Sequence, residues 1–167
     1  MVEIPKFHEF MTPLLLVLKE NGEMYRDDAF DATIEKVGLT DEQKAVIRES
    51  TGRSVARERV GWASSYLKQA GGLIRPKRGY MCLGPNADDF LSLERLLTVA
   101  DIKKTKEWQA IHNARQASKN EDIYDSTNEQ ENDTPQDLID KGIKRLNSQL
   151  IGAVSYTHLT LPTTYTV

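Results

Sequence analysis

The residues of this sequence with the means to do chemistry are mostly cations gathered in one short block. Between Arg48 and Arg78 stand Arg48, Arg53, Arg57, Arg59, Lys68, Arg75, Lys77 and Arg78, against only Glu49 and Glu58, a local net charge of +6. The formal net charge of the whole chain is nevertheless −3, because residues 1–47 carry five basic and ten acidic groups and residues 120–140 carry eight acidic and no basic ones. Cations concentrated in this way inside a near-neutral chain suit a polyanion, with nucleic-acid phosphate the natural candidate. The alternative is a solvated basic surface.

Other chemistries find little support. The single cysteine, Cys82, rules out an internal disulfide framework and any Cys-based zinc site, and reads as a small buried hydrophobe in a strand. His8, His112 and His158 are far apart and form no metal-binding pair, and His8 reads as a surface residue. Ser64-Ser65 lacks the glycines of a nucleophile elbow. Glu42-Gln43-Lys44 formally matches the E-x-K of a metal-dependent nuclease, but it falls in a capped helix with no strand before it. Such a site needs two or more carboxylates clustered on a sheet around Mg²⁺. No catalytic residue, metal ligand or cofactor site is therefore expected in this chain. No apolar run is long enough to span a bilayer and no secretory signal opens the chain, so the expectation is no membrane partner and a cytoplasmic location.

The elements that must position the cations follow from periodicity. Phe7, Phe10, Met11, Leu14, Leu15 and Leu18 form one apolar stripe of a first helix that ends at Asn21-Gly22, with Pro13 expected to kink it. A second helix is expected over Arg26 to Val37, stopped by Gly38. Thr40-Asp41-Glu42-Gln43 reads as a capping box opening a short third helix that ends near Glu49. A fourth runs from about Ser54 to Ala70, burying Ala56, Val60, Ala63, Leu67 and Ala70, with Trp62 and Tyr66 beside them in the core. Leu73 to Arg75 and Tyr80 to Leu83 are expected strands joined by the turn Pro76-Lys77-Arg78-Gly79. Three helices, a longer basic helix and a basic-tipped hairpin make a mainly α chain with a small β-hairpin, ordered as a winged helix-turn-helix.

Further helices are expected over Asp88 to Val99 and Asp101 to Gln116, supplying Leu93, Leu96, Leu97, Ile102, Trp108 and Ile111 to apolar contacts. The expected organisation is thus a winged-helix domain over residues 1–100, an accessory helix over 101–116, a disordered acidic linker over 117–135, too polar to order itself, and a connector helix over 136–153. On the fourth helix, Ser54, Arg57, Gly61, Ser65 and Lys68 share the face turned away from the core and are the expected DNA contacts, with Arg53 at the helix start. Gly61 either lets that face approach DNA or packs tightly on the second helix. Arg75, Lys77 and Arg78 are expected to bind phosphate. Arg59 falls nearer the apolar face and is expected to pair with Asp27 or Asp28.

The segment VGWASSYLKQAGGLIRPKRGY from Val60 to Tyr80, with FHEFMTPLLLVLKENGE and VGLTDEQK upstream, resembles the N-terminal winged-helix domain of Mrr-type restriction endonucleases over about residues 4–100. The Gly61-Trp62-Ala63 step, Tyr66-Leu67-Lys68, Ala70-Gly71 and Arg78-Gly79-Tyr80 carry the resemblance. TPQDLIDKGIKRLNSQL, from Thr134 to Leu150, is similar to the connector that leads in that family to a nuclease domain. The resemblance implies a double-stranded, modified DNA partner, a parent endonuclease using Mg²⁺ in a nuclease domain that this chain lacks, and homo-oligomerisation through the missing part. A winged helix that assembles proteins, or a standalone regulator, are the alternatives. VSYTHLTLPTT, from Val154 to Thr164, holds no charged residue and resembles the in-frame translation of a sequencing-library adapter, so residues 154–167 are expected to be a non-native tail and the natural gene to continue past Ala153; the alternative is a natural strand.

Overall fold

The structure, a computed structural model, describes residues 2–118 and 133–160. They form two units, residues 1–134 and residues 135–167. The first is mainly α with a small antiparallel sheet, as the sequence leads one to expect. A 3-10 turn at Phe7–Phe10 runs into α1 (Met11–Asn21), so Pro13 sits in the first turn of the α-helix, where its missing N–H has no bond to lose, and the expected kink becomes a change of helix type. β1 (Met24–Tyr25) follows, then α2 (Arg26–Val37) with Gly38 in the left-handed conformation at φ 76.

α3 is shorter than expected, spanning Asp41–Ala45. Its capping box is present, with the Thr40 N–H donating to Gln43 Oε1 at 2.9 Å and the Gln43 N–H to Thr40 Oγ1 at 3.2 Å. The chain then forms an antiparallel ribbon that the periodicity does not announce, β2 (Ile47–Arg48) with β3 (Arg53–Ser54). α4 (Val55–Gln69) lies against the 3-10 turn, α1 and α2. β4 (Leu73–Ile74) and β5 (Tyr80–Leu83) make the expected hairpin, and β1 adds to it in the order β1-β5-β4.

Ala56, Val60, Ala63, Leu67 and Ala70 are fully buried, as their spacing requires, against Phe7, Phe10, Leu14, Leu18 and Phe30. Burying these side chains is the main driving force for the fold. Beyond the hairpin the expected helices are broken differently. α5 (Ala87–Leu91) stops early, Glu94 turns left-handed at φ 50, and Leu93 and Leu96 are exposed. α6 (Val99–Lys103) and α7 (Lys106–Ser118) stand where one helix was expected, and they bury Ile102 and Trp108 in the same core as α4. Cys82 is half-buried rather than buried, because β5 has a covered and an open side and only Met81 is fully enclosed.

The second unit is one helix, α8 (Pro135–Thr160), with Pro135 at its first position. It passes Ala153 without a break, so residues 154–160 are helical and not the strand that their composition allowed. Leu138, Ile139, Ile143, Leu146 and Leu150 are exposed along it. Of the linker expected over residues 117–135, residues 117–118 close α7 and Pro135 opens α8, while residues 119–132, like residues 161–167 of the expected tail, lie outside the described residues.

Candidate nucleic-acid interface

The start of α4 is fixed by the ribbon before it. Ser54 is the N-cap residue, extended at φ −61 and ψ 124, and pairs with Ile47 across β2 and β3. Arg48 is buried, and its Nε donates to Glu58 Oε2 at 2.6 Å. Thr51 Oγ1 donates to the other carboxylate oxygen at 2.9 Å. Two charges taken out of water are tolerated only when each finds its partner at bonding distance, as here. The ribbon is thereby tied to the first turn of α4. Its tip reverses at Gly52, whose φ of 65 suits glycine and whose N–H donates to the Arg48 carbonyl at 2.7 Å. Arg53 stands exposed on the outer strand.

Arg57 takes the carboxylates of α2 that were expected for Arg59, and Arg59 is structural as expected but bonds to backbone carbonyls instead. Arg57 donates from Nη1 to Asp31 Oδ1 at 2.5 Å and from Nη2 to Asp27 Oδ1 at 3.1 Å, so its guanidinium is turned toward α2 in a solvent-accessible pairing. Arg59 donates from Nη1 to the carbonyls of Ile4 and Pro5, the latter at 2.8 Å, and fastens the N-terminal segment to α4. The physical reason is the position of α2. Asp27 and Asp31 sit one helical turn apart, and so do Arg57 and Gly61, which puts the two pairs on facing stripes. Gly61 looks at the Phe30 ring, where a Cβ would lie 3.8 Å from the nearest carbon, so its place is the α2–α4 contact. Ser65 is half-buried and Lys68 is exposed.

On the hairpin turn, Arg75 reaches back to donate to the Oγ of buried Ser64 at 3.1 Å. Lys77 pairs with Glu23 at 3.0 Å and lies 4.0 Å above the Tyr80 ring. The bond to Glu23 and its charge hold the Lys77 ammonium above its ordinary pKa. Tyr80 in turn meets Tyr25 edge-on at 5.5 Å, and the Arg26 N–H donates to the Gly79 carbonyl at 2.7 Å. The turn is therefore braced on its underside. Arg78 is exposed.

Three of the eight cations, Arg48, Arg57 and Lys77, are thus paired with carboxylates within the fold, while Arg59 and Arg75 bond to neutral oxygens. Arg53, Lys68 and Arg78 are the exposed members of the block whose side chains have no ion-pair or hydrogen-bond partner among the described residues. Sequence reasoning could not separate these from the rest, since pairing depends on which carboxylates α2 brings across.

Trp62 and Tyr66 pack on the core as expected. Tyr66 lies between Phe7, at 4.8 Å, and Trp108, at 5.1 Å, and His112 stacks on Trp108 at 4.1 Å. His8 is half-buried rather than a surface residue, edge-on to Phe7. Burial holds both His8 and His112 below the ordinary histidine pKa. Glu42 and Lys44 of the E-x-K match are exposed on α3, with no strand to gather other carboxylates beside them. Among the described residues no group of three or more His, Cys, Asp or Glu stands together to hold a metal ion. Among them too, no helix is long and apolar enough to cross a membrane.

A basic helix and a braced basic turn, set on a three-stranded sheet and a helical core, coincide with a known domain. Residues 7–92 match the Mrr N-terminal domain, and the chain belongs to that family. Among curated proteins it is similar to the type IV methyl-directed restriction enzyme EcoKMrr of Escherichia coli strain K12, with 35% identity over 91 residues. That alignment takes in 53% of this chain and 29% of the relative, so the chain spans less than a third of the relative's length. No solved structure matches it.

Proposed function

We propose that residues 1–118 are a winged-helix, duplex-DNA-binding domain of a restriction-system protein, with α4 and the turn at residues 75–79 against the DNA. The observation that carries this reading is that the cations left unpaired by the fold, Arg53, Lys68 and Arg78, stand at the start of α4, near its end and at the tip of the turn. Phosphate contacts from such groups position a domain on a duplex without reading its sequence. The methyl-directed activity in the relative's name supports a modified-DNA partner for the parent protein. Cleavage then belongs to a Mg²⁺-dependent nuclease domain outside this chain.

Eight cations would suggest four to six phosphate contacts and a slope of log K against log[salt] of roughly −4 to −5. Arg53, Lys68 and Arg78, with Arg75 whose bond to the Ser64 hydroxyl leaves its charge in place, lower this to roughly −3 to −4. Fluorescence anisotropy of a labelled duplex across a salt series measures the slope. The triple variant Arg53→Ala/Lys68→Ala/Arg78→Ala should bring it to roughly −1, the share of Arg75. Binding indifferent to salt, or a triple variant that binds like the wild type, would overturn the reading.

A further inference from the structure

Three carboxylates from one short stretch of chain, Glu23, Asp27 and Asp31, take hold of two cations of the basic surface. Asp27 and Asp31 of α2 hold Arg57 in the first turn of α4, and Glu23, ahead of β1, holds Lys77 in the turn. Along the chain Arg57 falls between the free Arg53 and Lys68, and Lys77 beside the free Arg78. All five paired side chains are open to water, from 38% exposed for Arg57 to 60% for Asp31 and Lys77. Ion pairs as open as these add little stability. They differ in this from Arg48 and Glu58, which are enclosed. The helix dipole favours Asp27 and Asp28 in the first turn of α2. It does not account for Asp31, a turn further on, or for Glu23, which precedes the strand. What the three carboxylates have in common is the surface whose cations they occupy.

We infer that Glu23, Asp27 and Asp31 withhold Arg57 and Lys77 from duplex phosphate, and so set how much of the basic surface an indifferent duplex can engage. This rests on the DNA-binding reading above. Carboxylate and phosphate oxygens compete for the same N–H donors. A duplex meets the charges of Arg53, Lys68, Arg75 and Arg78 at once. Recruiting Arg57 takes an acceptor placed well enough to displace two carboxylates, and recruiting Lys77 one that displaces Glu23 and leaves the ammonium over the Tyr80 ring. Phosphates at large do not meet that condition, because their spacing is the same along every duplex while the two cations are aimed at fixed partners. Specificity is a difference of affinities, and repulsion of the wrong partner widens it. The three carboxylates supply that repulsion within the binding surface itself.

The test measures the salt slope of the full 167-residue chain on a mixed-sequence duplex by fluorescence anisotropy. Neutralising the carboxylates in Glu23→Gln/Asp27→Asn/Asp31→Asn should steepen the slope by roughly two, about 0.9 for each cation set free. The gain in affinity over the wild type should then grow about twelvefold as salt falls from about 200 to about 50 mM. Adding Arg57→Ala and Lys77→Ala to that variant should abolish most of the steepening. The control Asp28→Asn/Glu35→Gln/Asp41→Asn removes as many charges from exposed carboxylates that have no ion pair among the described residues. It frees no cation and should leave the slope within about 0.5 of the wild type. Glu23→Gln alone should steepen it by about one, and decides the matter where urea unfolding shows the triple variant to be poorly folded. An unchanged slope in Glu23→Gln and in the folded triple variant, a steepening that survives the loss of Arg57 and Lys77, or an equal gain from the control overturns the withholding role and leaves the DNA-binding reading in place. A wild type whose binding ignores salt overturns that reading as well.

Discussion

Replacing Glu58 by Gln removes the charge that compensates Arg48 and keeps the size of the side chain. The Arg48 side chain is 5% exposed and that of Glu58 16%, so the guanidinium is left with little water to turn to. Removing one partner of a buried pair typically costs about 3–5 kcal/mol. Glutamine retains an oxygen that accepts a hydrogen bond, and Glu58 is itself not fully enclosed, which lowers the expected loss to about 2–3 kcal/mol. For a unit of this size that is a fall in Tm of order 10 °C. Urea unfolding followed by the fluorescence of Trp62 and Trp108 measures the loss directly. The double variant Arg48→Met/Glu58→Leu should return to within about 1 kcal/mol of the wild type, because two apolar residues need no partner. An Glu58→Gln protein within about 0.5 kcal/mol of the wild type would refute the claim that this pair ties the ribbon to α4.

Three further outcomes are expected. A Cβ at Gly84 would lie 2.3 Å from the Gly71 carbonyl oxygen and 2.9 Å from the Leu73 nitrogen, both backbone atoms that cannot step aside. Gly84→Ala should therefore cost about 3 kcal/mol or more, whereas Gly61→Ala, with only ordinary contact to Phe30, should stabilise by about 0.5–1 kcal/mol in the same unfolding assay. Asp101 accepts two bonds from Arg95, both at 2.8 Å, and more from Thr98, which holds its carboxyl well below the usual carboxylate range. With the folded pKa depressed, its contribution is present above about pH 4 and is lost as pH falls through the folded value, so Asp101→Asn should flatten the acid limb of the stability–pH curve. Burial lowers the pKa of His112, so the unfolded chain takes up a proton before the folded one does and stability falls as pH drops below about 6.5. His112→Phe, which can keep the stack on Trp108, should reduce that slope between about pH 5 and 7.

The sequence was most legible where a signal is local. The bounds of α2, the capping box at Thr40 and the buried face of α4 follow from caps and periodicity, which depend only on neighbouring residues. The β2–β3 ribbon was not legible, because its strands are two residues each and no alternation can be read from so little. The break after α5 was equally silent, since neither glycine nor proline marks Leu91 to Leu97 and the left-handed residue is Glu94. The candidate interface was legible as a block and not as individuals. The choice between Arg57 and Arg59 turned on the azimuth of α2 around α4, which is a tertiary fact. Gly61 was the available clue, as a small residue marks where another helix comes close.

β1 continues into α2 with no residue between them, and Arg26, the first of that helix, donates its amide to Gly79 in the turn. The hairpin therefore has no edge that can fray by itself on this side. Lifting β5 away from β1 would strip the amide at the head of α2 and loosen the helix that carries the partners of Arg57. Turn, strand and helix then belong to one cooperative opening unit. Amide exchange at Tyr80 and Met81 should slow and quicken in step with that of the first turn of α2, so the basic turn, for all its exposure, will exchange as part of the protein's interior.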